Sequence, residues 1–144
     1  MIRQATNTDF PELADIYHDA SLLAHPFIDP EFIAKDRHRV RDEYLPLNQS
    51  YVYEKHRQIL GFISLTQSHI NGLFVSVDEQ RKGIGSDLIE HAKERHEQLE
   101  LYCFADNYKA QRFYFSQGFE VTGEQKNAHL PFDEYIMRWE KAAA

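Results

Sequence analysis

The sequence predicts an α/β fold of the mixed, α+β kind: one twisted, mostly antiparallel sheet with a single splayed parallel pair of strands and about four helices on its two faces. Three observations predict it. Between positions 51 and 77 apolar residues recur with a period of two, whereas on either side they recur at helical spacing. A glycine-bearing stretch, Gln80-Arg81-Lys82-Gly83-Ile84-Gly85-Ser86, then stands where a strand hands over to a helix. A further strand follows that helix, and a helical crossover makes it parallel to the strand before.

Taken in order, Ile2 to Thr6 reads as a short edge strand. Asp9 reads as a helix N-cap with Glu12 three residues on as its capping box, and Pro11 is tolerated in the first turn. Phe10, Leu13, Ile16, Tyr17, Ala20 and Leu23 form the apolar stripe of this first helix, which fails near Ala24 because Pro26 disfavours helical geometry at His25. After the apolar loop His25-Pro26-Phe27-Ile28, Asp29-Pro30 restarts a second helix with Phe32, Ile33, Val40, Tyr44 and Leu45 inward, and Pro46 is expected to end it.

Tyr51 to Tyr53 and Ile59 to Leu65 read as paired strands around a polar turn, and His69 to Val77 completes a meander. Gly61 and Gly72 are the positions for bulges, and one at Gly72 would splay its strand from the next and free backbone groups. Ile84, Leu88, Ile89 and Ala92 then mark a central helix, and Leu99 to Phe104 the strand parallel to the third of the meander. Asn107 to Gln117 is a short helix stopped by Gly118, and Phe119 to Gln125 and Tyr135 to Glu140 are the last two strands. Residues 1–141 read as one domain; Ala142 to Ala144 carry no pattern and read as a cloning scar.

The totals exclude several classes. A chain of 144 residues with 42% hydrophobic and 27% charged residues buries one ordinary core. No apolar run is long enough to cross a bilayer and no signal-peptide core opens the chain, so a cytoplasmic protein is expected, free of the membrane. Cys103, the single cysteine, leaves no internal disulfide and no cysteine-based metal site; the histidines lack metal-ligand spacing, and no metal is expected. A net charge of −7 repels polyanions, which argues against nucleic acid. Lys35, Arg37, Arg39 and Arg41 are spread around a helix and read as a solvated face.

The glycine stretch reads as an anion site. The first N–H groups of a helix lack intrahelical partners and carry the positive end of its dipole. Gly83 and Gly85 let a ligand approach the main chain, and Arg81 and Lys82 add cations. The spacing is that of neither a P-loop nor a dinucleotide fingerprint, since Leu88 stands where a third glycine would be. A second motif follows one strand later: in Asn107-Tyr108-Lys109-Ala110-Gln111-Arg112-Phe113-Tyr114-Phe115-Ser116-Gln117-Gly118-Phe119, the residues Ala110, Phe113 and Tyr114 share a helix face.

The first motif matches the [QR]-x-x-G-x-[GA] loop, and the second resembles the N-x-x-A-x-x-F-Y-x-x-x-G-F segment, of the GNAT superfamily of acyl-CoA-dependent N-acetyltransferases. The order of elements along nearly the whole chain is similar to that family's, and the His-Pro-Phe-Ile loop resembles a stretch in some small bacterial members regarded as protein acetyltransferases. The resemblance implies that acetyl-CoA is the co-substrate and an amine its acceptor, with attack proceeding through a tetrahedral intermediate. It implies a pyrophosphate on the backbone of Arg81, Lys82, Gly83, Ile84, Gly85 and Ser86, and a pantetheine arm between two parallel strands, Leu73, Phe74 and Val75 on one and Leu101 to Cys103 on the other. Asn107 would contact that arm, Ala110 and Phe113 would line it, and an N–H of the Leu73 to Val75 strand would hold the oxyanion. Tyr114 matches the tyrosine that protonates the departing thiolate.

Where many members have a glutamate before the glycine loop, residues 67 to 73 hold no carboxylate, so His69 is the titratable candidate for the base. His25 acting through a water, or no dedicated base, are the alternatives. His25, Phe27 and Ile28, with His69, are expected to wall the acceptor cleft. The acceptor is expected to be a protein lysine or N-terminal amine, or else a small amine such as a polyamine, amino acid or aminoglycoside; a non-catalytic acyl-CoA sensor is a second class, an aminoacyl-tRNA acceptor is a third that the acidic balance disfavours, and a monomer or homodimer is expected.

Overall fold

The computed structural model describes residues 1–142, so the end of the patternless alanine tail lies outside the described residues. The strands are β1 (Ile2–Gln4), β2 (Gln49–Lys55), β3 (Gln58–Thr66), β4 (His69–Val75), β5 (Gln98–Phe104), β6 (Glu120–Lys126) and β7 (Asp133–Glu140). The helices are α1 (Phe10–Ala24), α2 (Pro30–Arg39), α3 (Leu45–Leu47), α4 (Ile84–Glu94) and α5 (Tyr108–Ser116). One sheet in the order β1-β2-β3-β4-β5-β7-β6 holds all seven strands. Among the described strands only β4 and β5 pair in parallel, as the helix between them requires.

The period-two pattern gives the sheet two apolar faces. Val52, Ile59 and Phe62 pack with Leu13, Ile16, Val40 and Leu45 beneath α1 and the helical run that follows α2. Ile63, Leu65, Leu99 and Leu101 pack with Ile84, Leu88, Ile89 and Ala92 beneath α4. Each such fully buried aliphatic side chain contributes roughly 1.5–3 kcal/mol. No described helix is long and apolar enough to cross a membrane, and no described group of three or more His, Cys, Asp or Glu is placed to hold a metal ion.

Two local expectations are corrected. The capping box is formed by Thr6 and Asp9 around a 3-10 turn at Asn7–Asp9, rather than by Asp9 and Glu12. Asp9 is drawn to that turn because Arg3 grips both its oxygens, at 2.8 and 3.0 Å, and holds its pKa down at about 2. Nor does Pro46 end the second helical run. The backbone widens into a π-turn at Val40–Tyr44, where the N–H of Leu45 bonds to the carbonyl of Val40, and continues through Pro46 as α3.

The meander carries both expected irregularities. Tyr53 faces Gly61 while Glu54 faces Ile59, leaving Leu60 as the extra residue. Ser64 faces Gly72 while Leu65 faces Ile70, leaving Asn71 unpaired. A Cβ on Gly72 would collide with the ring of Phe74. The parallel pairing of β4 with β5 spans only His69↔Glu100 and Ile70↔Leu101, and past the bulge the two strands part.

Candidate active site

A cleft of about 1200 Å³ runs through this parting, from the glycine loop on the α4 side to the α1–α2 loop and the β6–β7 loop. Arg81, Gly83, Ile84, Gly85 and Ser86 line one end, and Leu73, Phe74 and Val75 line its β4 wall. Asn107, Ala110, Phe113 and Tyr114 line the α5 side, and His25, Ile28 and His69 the other end. Two expected residues stand apart. Lys82 is turned to Glu79, 3.0 Å away, and lines a separate surface depression; Phe27 packs across the end of the cleft rather than along its wall.

The glycine loop leaves its N–H groups free for a definable reason. Asp29 caps α2 and Asn107 caps α5 with side-chain oxygens, whereas α4 begins at Gly83, which has no side chain with which to cap it. Gly83 sits at φ +84°, a left-handed conformation that glycine adopts without strain. Gly85 is required for another purpose than the expected open approach: its Cβ would lie 3.3 Å from Cζ of Phe113, so its smallness lets α5 close on α4. Gln80 ties the loop to β4, its Nε2 donating to the carbonyl of Val75 at 3.2 Å.

Tyr114 joins the loop end to the acceptor end. Its ring packs edge-on against Phe113 and Phe119, at centroid distances of 5.3 and 5.6 Å. Burial, and secondarily Cys103, raises the phenol above its ordinary pKa, although part of the residue faces the open cleft. The buried Cys103 shows what the same surroundings do to a thiol: burial, with a smaller effect from Glu134, pushes it up to about 12.

The histidines differ in freedom. Oδ1 of Asn107 accepts from the N–H of Ala110 at 3.2 Å, which turns Nδ2 toward Nε2 of His25 at 3.1 Å. His25 thus accepts at Nε2 and carries its proton on Nδ1, and burial lowers its pKa to about 4. With its Nε2 lone pair engaged by Asn107 and its ring buried, His25 takes a proton less readily than a free imidazole. Asn107, for its part, uses both ends of its side chain on the protein. His69 faces the carboxylate of Glu100, with Nδ1 3.3 Å from Oε1, and its ring lies 4.5 Å from that of Tyr102.

The far end of the cleft is built from residues that are distant in sequence. Phe27 touches Phe104 and Phe132 edge-on at 5.5 and 5.2 Å, and His25 touches Phe27 and Phe104 at 5.5 and 5.2 Å. Beside this cluster Glu134, 6% exposed, lines the cleft as the cross-strand partner of Phe104. Its Oε1 accepts from Nε2 of Gln125 at 2.9 Å and its Oε2 from Nδ2 of Asn127 at 3.1 Å. Sequence reasoning passed over Glu134, Gln125 and Asn127. The only available signal was the alternation of Glu134 with the inward Tyr135, Met137 and Trp139, which assigns it to the opposite face.

A strand–glycine loop–helix unit beside a splayed parallel pair, with a tyrosine at the parting, defines an acyl-CoA-dependent transferase, and residues 19–138 match the family described as Acetyltransferase (GNAT) domain. The chain belongs to that family and is an acetyl-CoA-dependent N-acetyltransferase. Among its relatives, peptidyl-lysine N-acetyltransferase YiaC of Escherichia coli K12 is 32% identical over 142 residues, 96% of each chain. Peptidyl-lysine N-acetyltransferase YjaB of the same organism is 30% identical over 126 residues, 87% of this chain and 85% of that one. The solution structure of apo YjaB from E. coli superimposes with a TM-score of 0.87 over 99% of this chain and 98% of that one, at 27% identity.

Proposed function

We propose that this chain acetylates the ε-amine of protein lysine. One observation carries the proposal: a single cleft is lined by the free helix start at Gly83 to Ser86, by the parted β4 and by Tyr114. A cofactor anchored at one end of it therefore meets the acid of the reaction at the middle. The acceptor follows from the relatives, two of which bear peptidyl-lysine acetylation in their names. Lysine also suits the aromatic end, because a single extended arm needs only a narrow opening.

Acetyl-CoA supplies an acetyl group activated as a thioester. The N–H groups from Ile84 to Ser86, with Arg81, hold its phosphates, and Phe113 and Ala110 flank its arm. An N–H of β4 past the bulge stabilises the oxyanion as the amine nitrogen bonds to the carbonyl carbon. Tyr114 gives its proton to the thiolate as the C–S bond breaks, solvent restores the phenol, and the amine sheds a proton as its nitrogen bonds to the carbonyl carbon. His69 is the proposed acceptor of that amine proton.

A second reading, a small-amine acceptor, draws on the contact of Phe27 with Phe132, which closes the α1–α2 loop on the β6–β7 loop. Peptide and small-amine arrays supplied with acetyl-CoA and read by thiol release separate the two. Lysine peptides are expected to release thiol. Release with small amines alone would overturn the lysine acceptor, and release with no amine would leave a CoA-binding protein without transfer.

A further inference from the structure

Glu134 is a buried carboxylate without a cation. Among the described residues its hydrogen-bond partners are the side-chain amides of Gln125 and Asn127, and no lysine, arginine or histidine forms an ion pair with it. The neighbouring Lys126 is turned to Asp133, 2.8 Å away. The orientation of Asn127 is fixed by the protein itself: its Oδ1 accepts from the N–H groups of His129 and Leu130 at 2.9 and 3.0 Å, so Nδ2 must face Glu134. That oxygen of Glu134 is consequently an acceptor. A buried charge is ordinarily paired, and two neutral amides orient a carboxylate without neutralising it.

The missing positive charge has one route of arrival. Glu134 lines the cleft, and its cross-strand neighbour Phe104 belongs to the cluster of His25, Phe27 and Phe132. Of this cluster His25 and Phe104 line the cleft with Glu134, backed by Phe27 and Phe132, and aromatic rings beside a carboxylate form a receptor for a compact cation carried on an apolar stem. We propose that Glu134 is the counter-ion that receives the acceptor as a primary alkylammonium, held among these rings before it gives up its proton and enters the reaction. This rests on the amine-acetylating role proposed above and adds to it a recognition residue on β7. It also makes the site selective for cationic amines over neutral isosteres of the same length.

Glu134→Gln tests the proposal without opening a cavity. The new amide keeps an oxygen for Asn127, and Gln125 can reverse its own amide to match the new NH₂ group. Butylammonium chloride and butanol, titrated into the CoA-bound protein and followed by NMR shifts of the β6–β7 residues, serve as probes. Butylammonium is expected to bind the wild type with saturation and the variant about ten- to hundred-fold more weakly, as for loss of a charged hydrogen bond, with butanol unaffected. Equal butylammonium affinity in both proteins, or no saturable binding to the wild type, would overturn the proposal. Saturable binding that depends on Glu134, together with no thiol release from any amine, would overturn the transferase role and leave the cation site standing.

Discussion

The two ends of the cleft are made of different materials. At the glycine loop the proposed binding groups are backbone N–H donors from consecutive residues, Ile84 to Ser86, presented because Gly83 supplies no capping side chain. At the far end the proposed groups are side chains from three separate segments, His25 with Phe27 behind it, Phe104, and Glu134 with Phe132 behind it, brought together by strand pairing and ring packing. A backbone site tolerates wide variation in its side chains and recognises what all acyl-CoA molecules share. A side-chain site can be altered one residue at a time, which suits the acceptor, the partner that must be chosen.

The sharpest way to break this division is at the junction. Tyr114→Phe is expected to lower kcat by about 10²–10⁴-fold while acetyl-CoA affinity, measured by calorimetry, holds. An unchanged kcat would remove Tyr114 from proton transfer; a weakened affinity would make it part of the backbone end.

The next effect concerns stability at the side-chain end. Folding lowers the pKa of His25 from 6.5 to about 4 by burial, so between these values the unfolded chain binds a proton that the native state refuses. The stabilisation is fully present above pH 6.5 and is lost as pH falls toward 4, a change on the order of 3 kcal/mol. Urea unfolding of His25→Gln, which keeps an acceptor for Asn107, should show that part of the slope removed. An identical pH dependence in both proteins would mean that the buried imidazole is not the group responsible.

His69→Ala is expected to reduce kcat/KM about ten-fold and to alter the acidic limb of its pH profile, a modest loss because water reaches this partly exposed residue. An undisturbed limb would clear His69 of the role. The smallest change belongs to the loop. At Gly83 an added Cβ meets nothing within 4 Å, so Gly83→Ala should cost only the backbone strain of φ +84°, about 1 kcal/mol in thermal unfolding, together with a rise in KM for acetyl-CoA. Full retention of both would show that the loop conformation does not hold the N–H groups in place.

The same contrast explains what could be read in advance. The parallel pair, both bulges, the glycine loop and the α5 face are local patterns or follow from chain connectivity, and they were legible from residues 51 to 119. Two readings failed on competing short-range bonds: Arg3, six residues away, drew Asp9 into a box with Thr6, and a π-turn closed from Leu45 to Val40 carried the helix past Pro46. Gly85 was legible as a glycine that had to be small, but the reason, the ring of Phe113, comes from another helix.

The sequence by itself determined the class of reaction, because a backbone phosphate site and a helix face are set by spacing within a dozen residues. Only the tertiary structure decided which side chains stand at the proposed acceptor end. Placing β7 between β5 and β6 sets Glu134 opposite Phe104, and the closure of the α1–α2 loop seats Phe27 between Phe104 and Phe132. Those neighbours lie 30 residues or more apart along the chain, where no local period links them and only sheet register and packing can.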